Sequence, residues 1–502
     1  MSTDVASLGV KERLRFLAKD SVVYGIAATI NRATALLTFP LLARHFSVSE
    51  FGIVDSLILL VSVLSTMVIF GQDSAVARYF FEVESLVERR EIVSQSIVFQ
   101  CLVLMVAVPI LYCFQTPLGT LFSSRTPSTN IYMPLIILQI PLVILQNFSQ
   151  GILKWTFARM RFIIVSVGST LLLCLGTVAL VVSGYGTVNN ILAMHFLTRV
   201  IFSLTSLWFI RKWLAFPTNF QYLPAMLSFA WPYGLICILT VFIPATERSM
   251  IVNLIGETEQ GIFAASAKLG AFIALPVYAF QVAWGPFSLA IYKAENSAVT
   301  YNWVLKFFAI TMFALTLLVT ALGYPLITFL ATDRYIDGVH CVFAICMSMS
   351  IQAIGWITEI GIDLSKKSYL KLYSNVFAYI VTFVAIYLLA SRFGLVGVPW
   401  GTLLGVLTKT AIESSLAQKV YPLNWQYKGV LRLGTLVIAM GLCSQLVLSR
   451  FGANANLAVC IAFVASTLGL GWFTVFNIDE RTKVVCQIDS LLRHTLSHKP
   501  TA

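Results

Sequence analysis

Residues 49–70 have the sequence SEFGIVDSLILLVSVLSTMVIF, in which a short polar turn precedes a long apolar run. A helix of about 20 apolar residues is long enough to cross the hydrocarbon core of a bilayer. After Glu50, the only charged residue in this stretch is Asp55. The stretch therefore predicts a membrane-spanning helix over 52–70 that follows a glycine-containing turn.

The same pattern recurs along the whole chain. Hydrophobic residues make up 58% of the 502 residues and charged residues only 11%, whereas a typical soluble domain has about 25% charged residues. So few charged groups cannot cover a water-facing surface, which predicts an all-α integral membrane protein with about fourteen transmembrane helices. The predicted spans are 21–42, 52–70, 93–113, 131–150, 162–182, 189–210, 226–254, 262–289, 301–324, 339–361, 372–390, 396–417, 429–448 and 456–476.

The basic residues predict the orientation of these spans. With both termini in the cytoplasm, 23 of the 34 Lys and Arg fall in cytoplasmic segments and five in outer loops. Short cytoplasmic loops are enriched in Lys and Arg, so this distribution supports an even number of spans. The segment VKERLRFLAK at 10–19 predicts an amphipathic helix on the cytoplasmic surface. Membrane orientation thus accounts for the net charge of +12, and we expect no nucleic-acid partner.

The two halves of the chain carry similar turns at nearly one offset. SEFGI at 49–53 precedes the second span, and TEQGI at 258–262 precedes the eighth, 209 residues later. YGTV at 185–188 and FGLV at 393–396 precede the sixth and twelfth spans, 208 residues apart. The alternative is chance similarity between glycine-containing turns, but two matching pairs favour duplication of a six-helix unit. Two such parallel repeats are expected to surround a central cavity.

The duplication predicts the domain organisation. Two further spans lie beyond it and are expected on the rim. The predicted domains are a cytoplasmic amphipathic segment (1–20), an N-terminal six-helix bundle (21–217), a C-terminal six-helix bundle (218–425), two additional transmembrane helices (426–476) and a cytoplasmic tail (477–502).

The sequence contains no arrangement of residues typical of catalysis. It has no P-loop and no G-x-S-x-G motif, and no polar segment is long enough for a nucleotide-hydrolysing domain. The five histidines form no ligand-spaced pair, and the nine cysteines include no C-x-x-C. We therefore expect no enzyme activity, no cofactor and no metal site. Any uphill transport must then draw on an ion gradient or on consumption of the product.

Two sets of motifs resemble one family. The first half carries YG at 24–25, PLLAR at 40–44, EFGI at 50–53 and GQDSAVARYF at 71–80. The second half carries WP at 231–232, ER at 247–248, EQGI at 259–262 and AWGPF at 283–287. In these residues the chain resembles the polysaccharide-exporter branch of the superfamily that also contains multidrug-and-toxin extruders and the lipid II flippase. It departs from the branch at Glu247, where an aspartate is more common.

The resemblance implies a flippase of the bacterial inner membrane that moves an undecaprenyl-diphosphate-linked oligosaccharide for O-antigen, capsule or exopolysaccharide synthesis. Its expected partners are that lipid-linked oligosaccharide, membrane lipids, and a polymerase and glycosyltransferases of the same pathway. An ion-coupled multidrug or small-molecule antiporter of the same superfamily is the alternative. A membrane enzyme such as a sugar polymerase is disfavoured, because such enzymes usually carry a large outer loop and none is predicted here.

Basic residues inside the spans are the candidate substrate-binding groups. A charge at the bilayer centre costs roughly 2.5–3.5 kcal/mol on insertion scales, so each such residue requires a partner or water. Arg32 lies at the middle of the first span beside Asn31, and a guanidinium binds phosphate in a bidentate manner. Alternatively, Arg32 pairs with a buried carboxylate or with carbonyl groups at the end of a helix. The predicted substrate-binding residues are Arg32, Asn31, Arg199, Arg248 and Lys268.

Four acidic residues lie inside the spans, fewer than the six basic ones. A basic excess attracts an anion and repels organic cations, which favours a diphosphate lipid over a cationic drug. Glu247 and Asp55 are the candidates for ion coupling. Neighbouring residues on a helix point about 100° apart, so we do not expect Glu247 to pair with Arg248.

Other charged residues near the span ends have simpler interpretations. Asp73 and Arg78 follow the second span, where they form either a cytoplasmic gate between the halves or a helix cap and anchor. Lys409 and Glu413 are spaced for a salt bridge on one helix. Lys306 lies one turn inside the ninth span and is expected to extend to the membrane surface.

Overall fold

The computed structural model describes residues 10–83, 85–120, 129–291, 297–365, 367, 369–476, 478 and 480–482. Within these residues every regular element is a helix. The α-helices are α1 (Val10–His45), α2 (Val48–Ile69), α3 (Gln72–Glu82), α4 (Leu86–Cys113), α5 (Gln115–Thr120), α6 (Thr129–Trp155), α7 (Arg159–Val182), α8 (Val188–Ile210), α9 (Leu223–Leu254), α10 (Glu257–Leu269), α11 (Ala271–Ile291), α12 (Ser297–Ala321), α13 (Gly323–Leu330), α14 (Val339–Thr358), α15 (Ile360–Leu364), α16 (Tyr369–Phe393), α17 (Gly397–Val420) and α18 (Tyr427–Val475).

Twelve of the described segments are long and apolar enough to cross a membrane. The consecutive helices α10 and α11, bent by 42° at their junction, form a thirteenth span if they are counted as one crossing. One of the twelve, Tyr369–Val420, has 52 residues and contains both α16 and α17, which pack along each other. Two crossings in this segment bring the total to fourteen. The predicted fold class, an all-α membrane protein with about fourteen spans, is confirmed.

The last two spans form a hairpin within α18. Its apolar parts are Tyr427–Leu448 and Leu457–Val475. A Cβ added to Gly429 would meet the carbonyl of Thr474, so the first and last turns of α18 lie side by side. The Thr467 hydroxyl also donates to the Met440 sulfur at 3.7 Å. This hairpin packs against α12, outside the contact between the two halves of the chain.

The helices before and after residue 220 pack mainly among themselves. In the first part α6 and α7 pack on α8, and α1 packs on α7. In the second part α14 packs on α12 and α17, and α16 on α9. We call these parts, α1–α8 and α9–α17, the N-half and the C-half. The boundaries 21–217 and 218–425 of the six-helix repeats remain a prediction.

The halves meet on opposite faces of the membrane. We call the face at which α1 ends and α2 begins the outer face, after the predicted orientation, and the other the inner face. In the outer contact, α2 crosses α10 so closely that a Cβ on Gly52 would overlap the Gly261 backbone. In the inner contact, a Cβ on Gly71 would overlap the backbone of Gly234 in α9. Glycine is required at both places because only a hydrogen atom fits between the two backbones.

Local sequence positions α2 between these contacts. Ser47 and Glu50 form a capping box at its start, where each side chain bonds the backbone of the other. At its end, Phe70 and Gly71 both have positive φ angles, 48° and 71°. Glycine adopts this conformation readily, whereas phenylalanine does so at a cost. The turn separates α2, which is long enough to cross the membrane by itself, from the shorter α3.

Candidate transport site

A cluster of charged side chains joins the halves below the outer contact. Asp55 of α2 accepts hydrogen bonds from Lys268 at 2.7 Å and from two guanidinium nitrogens of Arg248 at 3.3 Å each. Asp55 belongs to the N-half, and both bases belong to the C-half. The carboxylate is 9% exposed and the guanidinium 11% exposed, so the pair is shielded from solvent. Opening the outer contact therefore requires separating a buried ion pair.

Glu247 lies at the edge of the same cluster. It accepts a hydrogen bond from the Thr402 hydroxyl at 2.5 Å and one from Arg248 at 3.2 Å. The expectation that Glu247 and Arg248 do not pair was wrong. The guanidinium is long enough to place its other two nitrogens on Asp55 while Nη1 turns back to the neighbouring carboxylate. Side-chain length thus compensates for the 100° between adjacent positions on the helix.

A cavity of about 410 Å³ lies within the C-half beside this cluster. Among the described residues, three bases, Arg248, Lys268 and Lys409, line it, together with one acid, Glu247. The remaining lining is apolar or uncharged, including Ser348 and Asn375 of the same bundle. Three of the four charged groups along this wall are therefore basic, which favours an anionic ligand.

Arg32 lies at the contact between α1 and α11. Its guanidinium carbon is 3.2 Å from the centre of the Tyr278 ring, in a cation–π stack. The contact that the structure shows is with an aromatic ring, and the role of Arg32 in substrate binding stays a prediction. Asn31 also makes a protein contact, since its amide nitrogen donates to the Ser166 hydroxyl at 2.8 Å. Neither contact could be found in the sequence, because both partners are more than 130 residues away.

Arg199 lines a small cavity of about 200 Å³ within the N-half. It donates to the amide oxygen of Gln146 on α6 at 2.9 Å. His195, one turn earlier on α8, lines the same cavity with Asn147. The sequence predicted Arg199 as a cavity residue but missed His195, although the i, i+4 spacing places both on one helix face.

Another cavity, of about 600 Å³, lies between the N-half and α9. Asp73 and Lys154 are its charged residues. Four amide side chains also line it, and Cys237, Thr240 and Val241 form the side contributed by α9. Lys154 was missed by the sequence analysis, because its position beside Trp155 at a predicted span end made it an ordinary cytoplasmic base.

Asp73 and Arg78 occupy different sides of α3. Asp73 lies in the first turn of α3 and faces the large cavity. Arg78 is half-exposed, pairs with Glu82 at 2.9 Å and lies 4.5 Å above the ring of Phe229 on α9. Arg78 thus contributes to the inner contact between the halves, while Asp73 is available to a ligand.

A second group of charges lies toward the inner face of the C-half. Lys371 bridges Glu359 at 2.9 Å and Asp363 at 2.8 Å. The predicted pair of Lys409 and Glu413 has its closest atoms 3.9 Å apart, and the stronger contact of Glu413 is the hydroxyl of Ser374 at 2.7 Å. These groups hold α14, α15, α16 and α17 together within one half.

Lys306 does not extend to the membrane surface, so that expectation was wrong. Its side chain is 1% exposed and bonds both carboxylate oxygens of Glu480 at 2.7 Å. It also donates to the amide oxygen of Gln426, the residue before α18. A carboxylate from the segment after α18 comes within reach of the ammonium group, which makes burial of the charge possible.

Comparison with known proteins identifies the family of the chain and its fold. The family model described as polysaccharide biosynthesis protein matches residues 17–287, more than half of the chain. This match runs from within α1 to within α11 and therefore includes Asp55, Arg248 and Lys268. The sequence comparison with curated proteins gives no match.

Solved structures show the same fold at low sequence identity. The lipid II flippase MurJ in an inward closed conformation has a TM-score of 0.69 and 14% identity, covering 89% of this chain and 98% of that chain. Inward-facing and outward-facing structures of a multidrug resistance MATE family transporter of the MOP superfamily have TM-scores of 0.61 and 0.57, with 14% and 15% identity. Each covers 80% of this chain, and 94% and 95% of its own. The chain belongs to the polysaccharide biosynthesis protein family and has the fold of the MOP superfamily.

Proposed function

We propose that the protein is a flippase that moves an undecaprenyl-diphosphate-linked oligosaccharide repeat unit from the cytoplasmic to the periplasmic leaflet by alternating access. The transported units serve O-antigen, capsule or exopolysaccharide synthesis. The observation that carries the proposal is the basic lining of the cavities. Five bases line the three polar cavities in the described structure, Arg199, Arg248, Lys154, Lys268 and Lys409, against the acids Glu247 and Asp73.

This charge balance favours a diphosphate over a cationic drug. Bases in a cavity of low dielectric attract an anion strongly, and each guanidinium offers two parallel donors to phosphate oxygens. The polysaccharide family match and the lipid-flippase fold support the same class of cargo. A multidrug antiporter of the same fold is the alternative, and buried Glu247 in the C-half cavity is the acid that would serve it.

The ion cluster suggests how binding is coupled to opening. Asp55 occupies the donors of Arg248 and Lys268 while the outer contact is closed. A diphosphate that reaches the C-half cavity competes with Asp55 for the same two bases. Release of Asp55 removes the ionic link between the halves and allows their outer ends to separate. Asp55 and Glu247, freed from their partners, are then the candidate groups for ion coupling.

In this proposal the protein is a transporter, not an enzyme, and lies in the bacterial inner membrane with both termini in the cytoplasm. The glycosyltransferases that build the repeat unit act before it, and the polymerase that consumes the unit acts after it. The stack of Arg32 on Tyr278, between α1 and α11, is expected to break when the headgroup enters. Arg32, Asn31, Arg199, Arg248 and Lys268 remain the proposed substrate-binding residues.

Transport in proteoliposomes tests the proposal. We expect the purified protein to translocate a fluorescent undecaprenyl-diphosphate oligosaccharide and not ethidium, an organic cation. R248Q and the charge reversal R32E should each reduce lipid transport at least tenfold, since each removes a proposed phosphate donor. R392Q, which removes the same charge from an exposed position at the end of α16, is the matched control and should transport normally. Ethidium transport that survives R32E, without lipid transport by the wild type, would favour the antiporter.

A further inference from the structure

The small cavity within the N-half carries two basic side chains and, among the described residues that line it, no acid. His195 and Arg199, one turn apart on α8, share this space of about 200 Å³ with residues of α2 and α6. The other polar groups of its wall are uncharged, namely the hydroxyl of Ser62 and the amides of Gln139 and Asn147. A cavity with this balance of charge attracts an anion.

Arg199 has a neutral partner in the protein. Its Nη1 donates to the amide oxygen of Gln146 at 2.9 Å, and in the described part of the chain it forms no ion pair. A guanidinium has five N–H donors, so this bond leaves donors for the oxygens of a phosphate group. A cation at membrane depth is costly unless a counter-charge or water joins it. A bound phosphate group would supply the counter-charge that the wall of this cavity lacks.

His195 adds a titratable ring to the same wall. The other titratable groups on the elements packed against α8 are Glu50 and Asp55 of α2, Tyr132 and Lys154 of α6, Arg159, Arg161 and Cys174 of α7, and Arg211 and Lys212 after α8. Arg199 is the group whose charge acts on the ring. A proton on His195 would place two positive charges one turn apart, which is unfavourable, so the ring is neutral while the cavity holds no anion.

An anion reverses this balance. A phosphate group beside both side chains accepts hydrogen bonds from Arg199, and its negative charge offsets the repulsion between the two bases. The neutral imidazole has one N–H donor and the imidazolium has two, so protonation of His195 also adds a donor for the phosphate oxygens. Binding of the anion and protonation of the ring therefore strengthen each other, as linkage requires.

The cavity is connected with the inner side of the membrane and lies close to the ion cluster. Asn147 is exposed and lines both this cavity and the 600 Å³ cavity, which extends along α6 to Lys154. On α2, the lining residues Ile58 and Ser62 are one and two turns from Asp55, about 5 and 10 Å along the helix axis. Anions and water from the inner side thus reach the two bases of α8, and the same headgroup lies within reach of the Asp55 cluster.

We propose that the N-half cavity binds a phosphate group of the lipid-linked cargo together with one proton, which His195 takes up from water on the inner side. One N–H bond forms on the imidazole ring, and no bond of the cargo breaks. This inference rests on the proposed function and adds the proton that accompanies the headgroup. Asp55 and Glu247 lose their partners when the outer contact opens, whereas His195 is protonated when the headgroup binds.

Isothermal titration calorimetry of the full-length protein in nanodiscs tests the proposal. The probe is farnesyl-diphospho-N-acetylglucosamine, a diphosphate diester that keeps its full negative charge near neutral pH and so exchanges no proton itself. Titrations in two buffers of different ionisation enthalpy give the number of protons taken up per ligand. We expect the wild type to take up about one proton more than H195Q. Its Kd should rise by up to about tenfold per pH unit above neutral pH, and that of H195Q should rise less.

Two further variants keep this test specific. H195K places a permanent charge at the same position, so it should bind the probe without the proton uptake that His195 provides. H340Q removes a histidine near the start of α14, at the outer end of the C-half, and should keep the wild-type uptake. A variant that still binds the probe is folded, and Asp55 and Glu247 are unchanged in all three. Uptake by H195K equal to that of the wild type would contradict the proposal.

The outcomes separate failure of this inference from failure of the proposed function. If the wild type does not bind the probe, the proposed function is wrong. If the wild type binds it and H195Q takes up as many protons, only the role of His195 is wrong. Dimethyl diphosphate, a soluble diester without lipid or sugar, should bind at least about tenfold more weakly, because it buries no prenyl chain. Equal Kd values for the two probes would mean that the cavity serves a soluble anion and not the lipid headgroup.

Discussion

The outer and inner contacts between the halves both place glycine against backbone, but different forces hold them. The outer contact adds the buried pair of Asp55 with Arg248 and the half-exposed Lys268 on the same carboxylate, and the amide of Gln260 donates to the Ser56 hydroxyl at 2.8 Å. The inner contact adds the half-exposed Arg78 over an aromatic ring. Charge therefore closes the outer side, whereas apolar packing closes the inner side.

This difference implies unequal costs of opening. Separating the outer ends leaves charged groups without partners until water or a ligand replaces them. Separating the inner ends exposes mainly apolar surface and one cation already in contact with solvent. A ligand with phosphate groups lowers the free-energy cost of separating the outer ends and leaves the cost of separating the inner ends unchanged. We therefore infer that the anionic cargo controls the outer contact specifically.

Removal of the Asp55 charge should change the difference between the outer and inner contacts most strongly. D55N leaves Arg248 and Lys268 without their shared carboxylate, and breaking a buried pair costs about 3–5 kcal/mol. The equilibrium at the outer contact should then move toward the open form by two or more orders of magnitude. Electron–electron distances between spin labels at exposed Tyr185 and Phe393, in a background without reactive cysteines, would measure the separation.

The inner ends provide the control for D55N. Labels at Phe216 and Lys419, both exposed near the inner face, should report unchanged distances. Equal widening at both faces would mean that Asp55 stabilises the whole fold rather than the outer contact. An unchanged distance between labels at 185 and 393 would contradict the ionic account of closure.

Overpacking the glycine contacts should have intermediate effects, each confined to one face of the protein. G261V places a side chain against α2 at the outer contact, and G234V places one against the Phe70 carbonyl at the inner contact. Such overpacking costs about 1–3 kcal/mol. We expect G261V to lengthen only the outer distance and G234V only the inner one. G469V, at a helical glycine with no neighbour within 4 Å in the described structure, should change neither.

Removal of Arg78 should have the smallest effect. Exposed ion pairs contribute about 0–1 kcal/mol, and an exposed cation–π contact contributes about 0.5–1 kcal/mol. R78L should therefore shift the inner distance distribution slightly, and transport should fall less than fivefold. A loss of transport as large as that expected for R248Q would instead identify Arg78 as an essential gate, the first of its two sequence interpretations.

The sequence by itself determined the spans and the fold class. The number of spans follows from the length of apolar runs, because the bilayer thickness fixes how many residues a crossing needs. The motifs around Gly52 and Gly261 were predicted as turns before the second and eighth spans, but both glycines lie inside helices, α2 and α10, where they meet at the outer contact. Arg248, Lys268 and Asp55 were recognised as important because a charge at membrane depth requires a partner.

Only the tertiary structure decided which partner each of these groups has. Arg32 stacks on Tyr278, Lys306 bonds Glu480, and Asp55 joins two bases of the other half. Each contact joins residues far apart in the chain, and a helix pattern does not specify which face of a distant helix lies opposite.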